Sequence, residues 1–253
     1  MTLHVEITGS GPDLVLLHGW GMHSGIWGGV RDDLARDFCV HAVDLPGYGA
    51  SPPCHPYDLQ QLAQTVASVL PARTGVIGWS LGGLVAQRLA LSQPQQVERL
   101  MLVGTSPCFV QRADWSCGIE AEILQVFASD LERDYATTLL RFLSLQVRNG
   151  ENVRTVLKYL RVALFARGVP SAEVLRAGLN ILLESDLRSA VGKLAPPLSI
   201  VHGERDTLAP AEAARWLEAH VPGARLTMIP GCAHAPFLSH PEVFLQEVRE
   251  FFS

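Results

Sequence analysis

The chain has 253 residues, of which 48% are hydrophobic and 18% are charged, and its formal net charge is −5. This composition predicts a folded protein with a large core; it excludes a disordered chain, and the acidic balance argues against broad nucleic-acid binding. With no leader-like start, no long apolar run and five scattered cysteines without a Cys-x-x-Cys pair, we expect a cytoplasmic protein with reduced thiols and no membrane segment.

Short apolar runs, each followed by a glycine-containing turn and a helical pattern, predict parallel strands joined by crossover helices. The runs are residues 14–17, 39–43, 75–78, 100–103 and 198–201, with 226–229 as a sixth. Between about residues 110 and 185 helical spacing replaces the strand pattern. We therefore predict an α/β core of residues 1–109 and 186–253, interrupted by a helical cap of residues 110–185.

A serine lies where one predicted strand passes into a helix. Residues 78–83 read Gly-Trp-Ser-Leu-Gly-Gly, which in this context is typical of a nucleophile elbow at Ser80. Gly78 and Gly82 lack the Cβ atoms that would collide in so sharp a turn. An ordinary glycine-rich turn is the alternative, so the interpretation depends on partners for Ser80.

A serine nucleophile needs a histidine base and an acid to orient it, and on this fold they follow the serine in the order acid, histidine. His234 lies in a loop after the last predicted strand, whereas His240 is better explained as the start of a helix. Asp206 follows the strand at 198–201, although an N-cap role would also explain it, and Glu204 is the weaker candidate. We predict a triad of Ser80, Asp206 and His234.

Three other polar residues at predicted strands receive structural interpretations. His41 and His202 lie within apolar runs, where a packing role is expected. Asp44 ends a strand ahead of the serine, and a turn-forming role is expected. The segment 44–51 lacks the third glycine of a dinucleotide fingerprint.

Ester hydrolysis also requires hydrogen-bond donors for the developing oxyanion. The backbone amide of Leu81, directly after the serine, is the first expected donor. The second is the amide of Trp20, in the His-Gly-Trp-Gly turn at 18–21 that follows the first apolar run.

These motifs resemble those of the α/β-hydrolase superfamily and, more narrowly, those of the carboxylesterases that act on the methyl ester of pimeloyl-acyl carrier protein in biotin synthesis. The segments that carry the resemblance are residues 16–21, 43–47, 78–86, 106–109, 141–146 and 233–237. The resemblance implies a mostly parallel sheet flanked by helices, release of methanol, and no metal or cofactor. It also implies that the site is lined by Trp20, Ser80, Leu81, Phe142, Leu143, Ser144, Leu145 and Gln146.

Positive charge is concentrated in the predicted cap. Residues 141–167 contain six basic residues and one acidic residue, in a chain that is negative overall. An acidic acyl carrier protein is the partner that such a surface would bind, although a solvated helix face without a partner explains it as well. The candidate contacts are Arg141, Arg148, Arg154, Lys158 and Arg161.

Two other functions stay open at this point. One is a general hydrolase of small esters or carbon–carbon bonds with the same triad, and the other is a non-catalytic receptor on the same fold. We expect a monomer that binds neither nucleic acid nor membrane.

Overall fold

The computed structural model describes residues 2–131 and 133–253, which fold around a seven-stranded sheet. The strands are β1 (Val5–Thr8), β2 (Asp13–Leu17), β3 (Cys39–Val43), β4 (Thr74–Trp79), β5 (Val97–Val103), β6 (Leu198–Gly203) and β7 (Arg225–Ile229). Their order across the sheet is β1-β3-β2-β4-β5-β6-β7. Strand β1 runs antiparallel to β3 and the other neighbours are parallel, so the predicted fold class is confirmed.

Helices connect the parallel strands, because parallel neighbours cannot be joined by a tight turn. They are α1 (Gly28–Leu34), α2 (Leu59–Ala67), α3 (Leu81–Ser92), α4 (Ala121–Leu131), α5 (Tyr135–Gln146), α6 (Val153–Phe165), α7 (Ala172–Glu184), α8 (Arg188–Val191), α9 (Ala211–His220), α10 (Pro236–Ser239) and α11 (Pro241–Phe252). Within the described ranges, no helix combines the length and the apolarity that crossing a bilayer demands.

The central strands are buried on both faces, which is why the sequence shows them as continuous apolar runs. All six residues of β4 are buried, for example. The six runs identified in the sequence fall within β2 to β7. Strand β1 was not predicted, because it is a four-residue edge strand without a continuous apolar run, in which Ile7 is 62% exposed.

Helices α4 to α8 occupy the segment between β5 and β6, which contains no named strand in its described residues. Helix α4 packs against α5 and α7. Helices α4, α5, α6 and α7 bury Phe127, Phe142, Leu160 and Leu175, respectively, in the same hydrophobic cluster as the strands. The segment therefore shares one core with the sheet, and we keep the term cap for residues 110–185 as a proposed subdivision.

Candidate active site

Ser80 lies in a strained turn between β4 and α3. Its φ of 56° and ψ of −120° are unfavourable for a residue with a side chain. A Cβ on Gly78 would lie 2.4 Å from the Gly82 carbonyl oxygen, and one on Gly82 would lie 2.3 Å from that of Leu17. Thr105 donates a 2.8 Å hydrogen bond to the Ser80 carbonyl. Close backbone packing therefore requires both glycines and holds the turn in place.

The structure brings the three residues of the predicted triad into one hydrogen-bonded chain. The Ser80 hydroxyl donates to Nε2 of His234 at 2.9 Å, and Nδ1–H of His234 donates to Oδ2 of Asp206 at 2.7 Å. All three residues are buried: the exposed fraction is 4% for Ser80, 1% for His234 and 6% for Asp206. Because an ionised carboxylate can only accept, the His234 proton sits on Nδ1 and Nε2 is free to accept the serine proton.

Asp206 is itself held in place by the backbone that follows it. Its Oδ1 accepts hydrogen bonds from the amides of Leu208 and Ala209, at 2.9 and 3.0 Å. Burial is the largest single effect and alone would raise the pKa of Asp206, but the interaction with His234, including its hydrogen bond, together with His202 and the Ala209 amide, lowers the pKa below its ordinary value. The carboxylate therefore stays ionised and keeps one oxygen for the imidazole.

The competing residues lie away from this chain. Glu204 is exposed to solvent. His240 directly precedes Pro241, the first residue of α11, as the helix-start interpretation predicts. Asp44 is buried and accepts hydrogen bonds from the amides of Ser24 and Ala50, so it organises its own turn.

The backbone of His234 is fixed by two contacts that the sequence analysis did not identify. Its amide donates to the Gln146 carbonyl at 3.1 Å. Its carbonyl accepts from the indole Nε1–H of Trp79 at 2.8 Å. Trp79 directly precedes the nucleophile, and this position in the motif was the one feature of the sequence that could have indicated a role for Trp79 in the site. Residues next to Ser80 and in the cap thus determine where the imidazole lies.

A second histidine supports the loop that carries the acid. His202 is fully buried, its Nε2–H donates to the Ala209 carbonyl at 2.7 Å, and Nε2 lies 3.6 Å from Oδ2 of Asp206. Burial is the main cause that lowers the pKa of His202. The sequence suggested a packing role, and the structure shows that this neutral ring packs against the loop of Asp206.

The two residues predicted to supply oxyanion donors belong to segments that adjoin Ser80. Leu81 is the first residue of α3, so its N–H has no acceptor within the helix. A Cβ on Gly19 would lie 3.1 Å from that of Ser80, so the loop at 18–21 passes beside the nucleophile. His18 braces this loop: Nδ1–H donates to the Gly19 carbonyl at 2.8 Å, and Nε2 accepts from the Leu45 amide at 2.9 Å. Burial lowers the pKa of His18 to about 4, which keeps the ring neutral.

Aromatic residues join the oxyanion loop to the cap. The indole of Trp20 donates a 2.8 Å hydrogen bond to the Leu175 carbonyl on α7. Its ring centroid lies 4.6 Å from that of Phe142, which in turn lies 5.5 Å from that of Phe127. The side chains form a continuous wall from the loop beside Ser80 to the cap.

The other residues expected to line the site have different environments. Leu143 and Gln146 are buried, and Leu145 is half-buried. Ser144 is exposed and donates to the Leu140 carbonyl on its own helix. Ser144 and Leu145 line a cavity of about 520 Å³ on the cap surface, and Phe127 contributes to the same lining. Phe127 therefore belongs to both this surface cavity and the aromatic wall.

The five cap cations named from the sequence are all exposed. Arg141 forms a 2.6 Å ion pair with Asp130. Both Arg141 and Arg148 lie on the rim of the cap cavity. Arg154, Lys158 and Arg161 lie on α6, and among residues 2–131 and 133–253 no carboxylate pairs with any of the three. Most of this positive charge is thus available to a binding partner.

Comparisons with known proteins agree with this geometry. Residues 14–247 match the model of the alpha/beta hydrolase family. A protein of Nitrosomonas europaea named pimeloyl-[acyl-carrier protein] methyl ester esterase is 50% identical over 244 residues, which cover 96% of this chain and 97% of that protein. A protein of the same name from Chromobacterium violaceum is 42% identical, covering 99% and 98% of the two chains.

Solved structures show the same fold. An esterase from Exiguobacterium antarcticum superposes with a TM-score of 0.90 at 24% identity, covering 98% of this chain and 94% of that one. A hydrolase from Pseudomonas aeruginosa superposes with a TM-score of 0.85 at 27% identity, with coverage of 99% and 94%.

Proposed function

The chain belongs to the alpha/beta hydrolase family, and we propose that it is a serine carboxylesterase that converts the methyl ester of pimeloyl-acyl carrier protein to pimeloyl-acyl carrier protein and methanol, in biotin synthesis. Its relatives with 41 to 50% identity carry the name of that esterase. The structural observation that carries the proposal is the buried hydrogen-bonded chain from Ser80 through His234 to Asp206.

In the first half of the proposed reaction, Nε2 of His234 removes the Ser80 proton while Oγ attacks the ester carbonyl carbon. The carbonyl oxygen becomes negative and accepts hydrogen bonds from the amides of Leu81 and Trp20. Protonated His234, stabilised by the Asp206 carboxylate, then donates its proton to the methoxy oxygen. Methanol leaves and the acyl group stays on Ser80.

In the second half, His234 removes a proton from water, and the resulting hydroxide attacks the acyl-enzyme carbonyl. The same two amides stabilise the second tetrahedral intermediate. Ser80 Oγ departs and takes its proton back from His234, which frees the pimeloyl carboxylic acid. The acid then loses its proton to solvent and becomes the carboxylate. His18 contributes indirectly, because its neutral ring holds the backbone of the Trp20 loop beside the reacting carbonyl.

The acyl carrier protein docks on the basic surface of the cap in this proposal. Arg154, Lys158 and Arg161 on α6 lack carboxylate partners within the described residues, so an acidic partner can bind them without breaking an internal ion pair. Arg141 and Arg148 stand at the rim of the apolar cap cavity. This arrangement supports binding of the carrier to the cap with its acyl chain directed toward the aromatic wall.

The test compares two substrates of equal acyl length: the methyl ester of pimeloyl-acyl carrier protein and a small dimethyl ester. We expect the carrier-linked ester to be preferred at low salt, and Ser80→Ala to abolish hydrolysis of both. If wild type cleaves both at the same kcat/KM, the protein is a general small-ester hydrolase. If it cleaves neither, the receptor interpretation replaces the enzyme.

The carrier docking is tested by reversing three charges, with Arg154, Lys158 and Arg161 changed to Glu. We expect kcat/KM for the carrier-linked ester to fall at least about tenfold at low salt, while the small ester is hydrolysed as before. The matched control makes the same change of charge on the core, at the exposed residues Lys193, Arg215 and Arg225. An equal loss in the control would contradict docking at the cap.

A further inference from the structure

A second cluster of reactive side chains lies at the edge of the sheet opposite Ser80. Asp13 begins β2, Cys39 begins β3, and His41 follows two residues later. Asp13 and Cys39 are neighbours in the parallel register. Because residues two apart on a strand point to the same face, all three side chains lie on one side of the sheet. The proposed ester hydrolysis uses none of them.

The donor atoms of this cluster converge on the imidazole of His41. Its Nε2 lies 2.6 Å from Oδ1 of Asp13 and 3.5 Å from Sγ of Cys39. The three donor atoms all lie within 4.8 Å of one another. The side chain of His41 is 10% exposed and that of Asp13 is 35% exposed, so the cluster is shielded by protein but open to solvent on one side.

We propose that Asp13 Oδ1, Cys39 Sγ and His41 Nε2 bind a zinc ion, with water as the fourth ligand. Thiolate, imidazole and carboxylate are the ligands that zinc takes in proteins, and three protein ligands with one open position is a common arrangement. One ring nitrogen facing both a carboxylate and a thiol can share its single proton with only one of them. A metal cation contacts both at once.

The nitrogen-to-sulfur distance suits a tetrahedral ion, whereas the nitrogen-to-oxygen distance is shorter than such an ion requires. At the tetrahedral angle, zinc bonds of about 2.3 Å to sulfur and about 2.0 Å to nitrogen place these two ligand atoms about 3.5 Å apart, and the observed separation is 3.5 Å. The nitrogen and oxygen ligands need about 3.3 Å between them, so the Asp13 carboxylate must move outward from its 2.6 Å contact. Its partial exposure leaves room for this movement.

Binding has a defined proton balance. Binding of zinc to the Cys39 thiol breaks the S–H bond, forms the Zn–S bond and releases one proton to solvent. Without the ion, Nε2–H of His41 donates to Oδ1 of Asp13. Zinc binding therefore also moves the ring proton from Nε2 to Nδ1, which leaves the Nε2 lone pair for the ion.

Cobalt(II) is the probe, because it takes the place of zinc and gives a sulfur-to-metal charge-transfer band only when a thiolate binds it. We expect one equivalent of cobalt to produce this band in the full-length protein and zinc to abolish it by displacement. Cys39→Ser removes the band. The matched control is Cys117→Ser at the other half-buried cysteine, which keeps it. Asp13→Asn weakens cobalt binding at least about tenfold without loss of the thiol.

The proposal is wrong if wild type shows no charge-transfer band, or if Cys39→Ser keeps a band of equal strength. It is also wrong if Asp13→Asn binds cobalt as tightly as wild type. None of these measurements uses ester hydrolysis, so the metal site and the esterase function can fail independently.

Discussion

Replacing Asp206 by Asn should abolish most of the activity while leaving the fold intact. Oδ1 of Asp206 accepts two backbone hydrogen bonds, from Leu208 and Ala209, and the amide oxygen of Asn is the atom that can replace it. The NH₂ group must then face Nδ1 of His234, where the wild-type carboxylate accepts a hydrogen bond of 2.7 Å from Nδ1–H. The imidazole is forced to carry its proton on Nε2, which can no longer accept from Ser80.

A base with the wrong tautomer costs a serine hydrolase about 10⁴-fold in kcat, which corresponds to about 5 kcal/mol of transition-state stabilisation. Because both backbone amides keep an acceptor, the urea midpoint should change little. The assay is steady-state hydrolysis of a small methyl ester, and urea denaturation checks that the variant is folded. Glu204→Gln, an exposed neighbour in the same loop, serves as the control with full activity. Retention of more than about a tenth of wild-type kcat in Asp206→Asn would refute the assignment of the acid, since the tautomer argument predicts a far larger loss.

Three further substitutions test the supports of the site. Trp79→Phe leaves the buried His234 carbonyl without its 2.8 Å donor, so the free energy of unfolding should fall by about 1–3 kcal/mol in urea titrations, with a lower kcat. Gly82→Ala places a methyl group 2.3 Å from a backbone oxygen and should impair both folding and activity, whereas Gly192→Ala, at 3.4 Å from its nearest neighbour, should be tolerated in thermal melts. The depressed pKa of His18, about 4, means that the unfolded chain binds the extra proton between about pH 6.5 and 4. Stability should therefore fall by about 3 kcal/mol from this group as the pH drops through that window, and His18→Asn should remove that share of the slope in pH-dependent unfolding.

The sequence was sufficient to predict the parallel sheet and the residues placed at its carboxyl edge. Buried strands appear as uninterrupted apolar runs. Ser80, Asp206 and His234 each follow one of these runs, in the chain order serine, acid, histidine that is typical of this fold. The short edge strand β1 was missed because its alternation is too brief and too polar to distinguish from a loop.

The supports of the site were not predictable, because each depends on a contact between distant segments. The hydrogen bond from Trp79 to His234 spans 155 residues, and so does that from Trp20 to Leu175. His41 shows the same limit. A histidine in an apolar run looks like a packing residue until strand pairing places Asp13 and Cys39 beside it.

The indole of Trp20 couples the loop beside Ser80 to two helices of the segment between β5 and β6. It donates a hydrogen bond to the Leu175 carbonyl on α7, and its ring contacts that of Phe142 on α5. A displacement of these helices would strain or break the hydrogen bond. The position of the helices and that of the Trp20 backbone are therefore expected to change together.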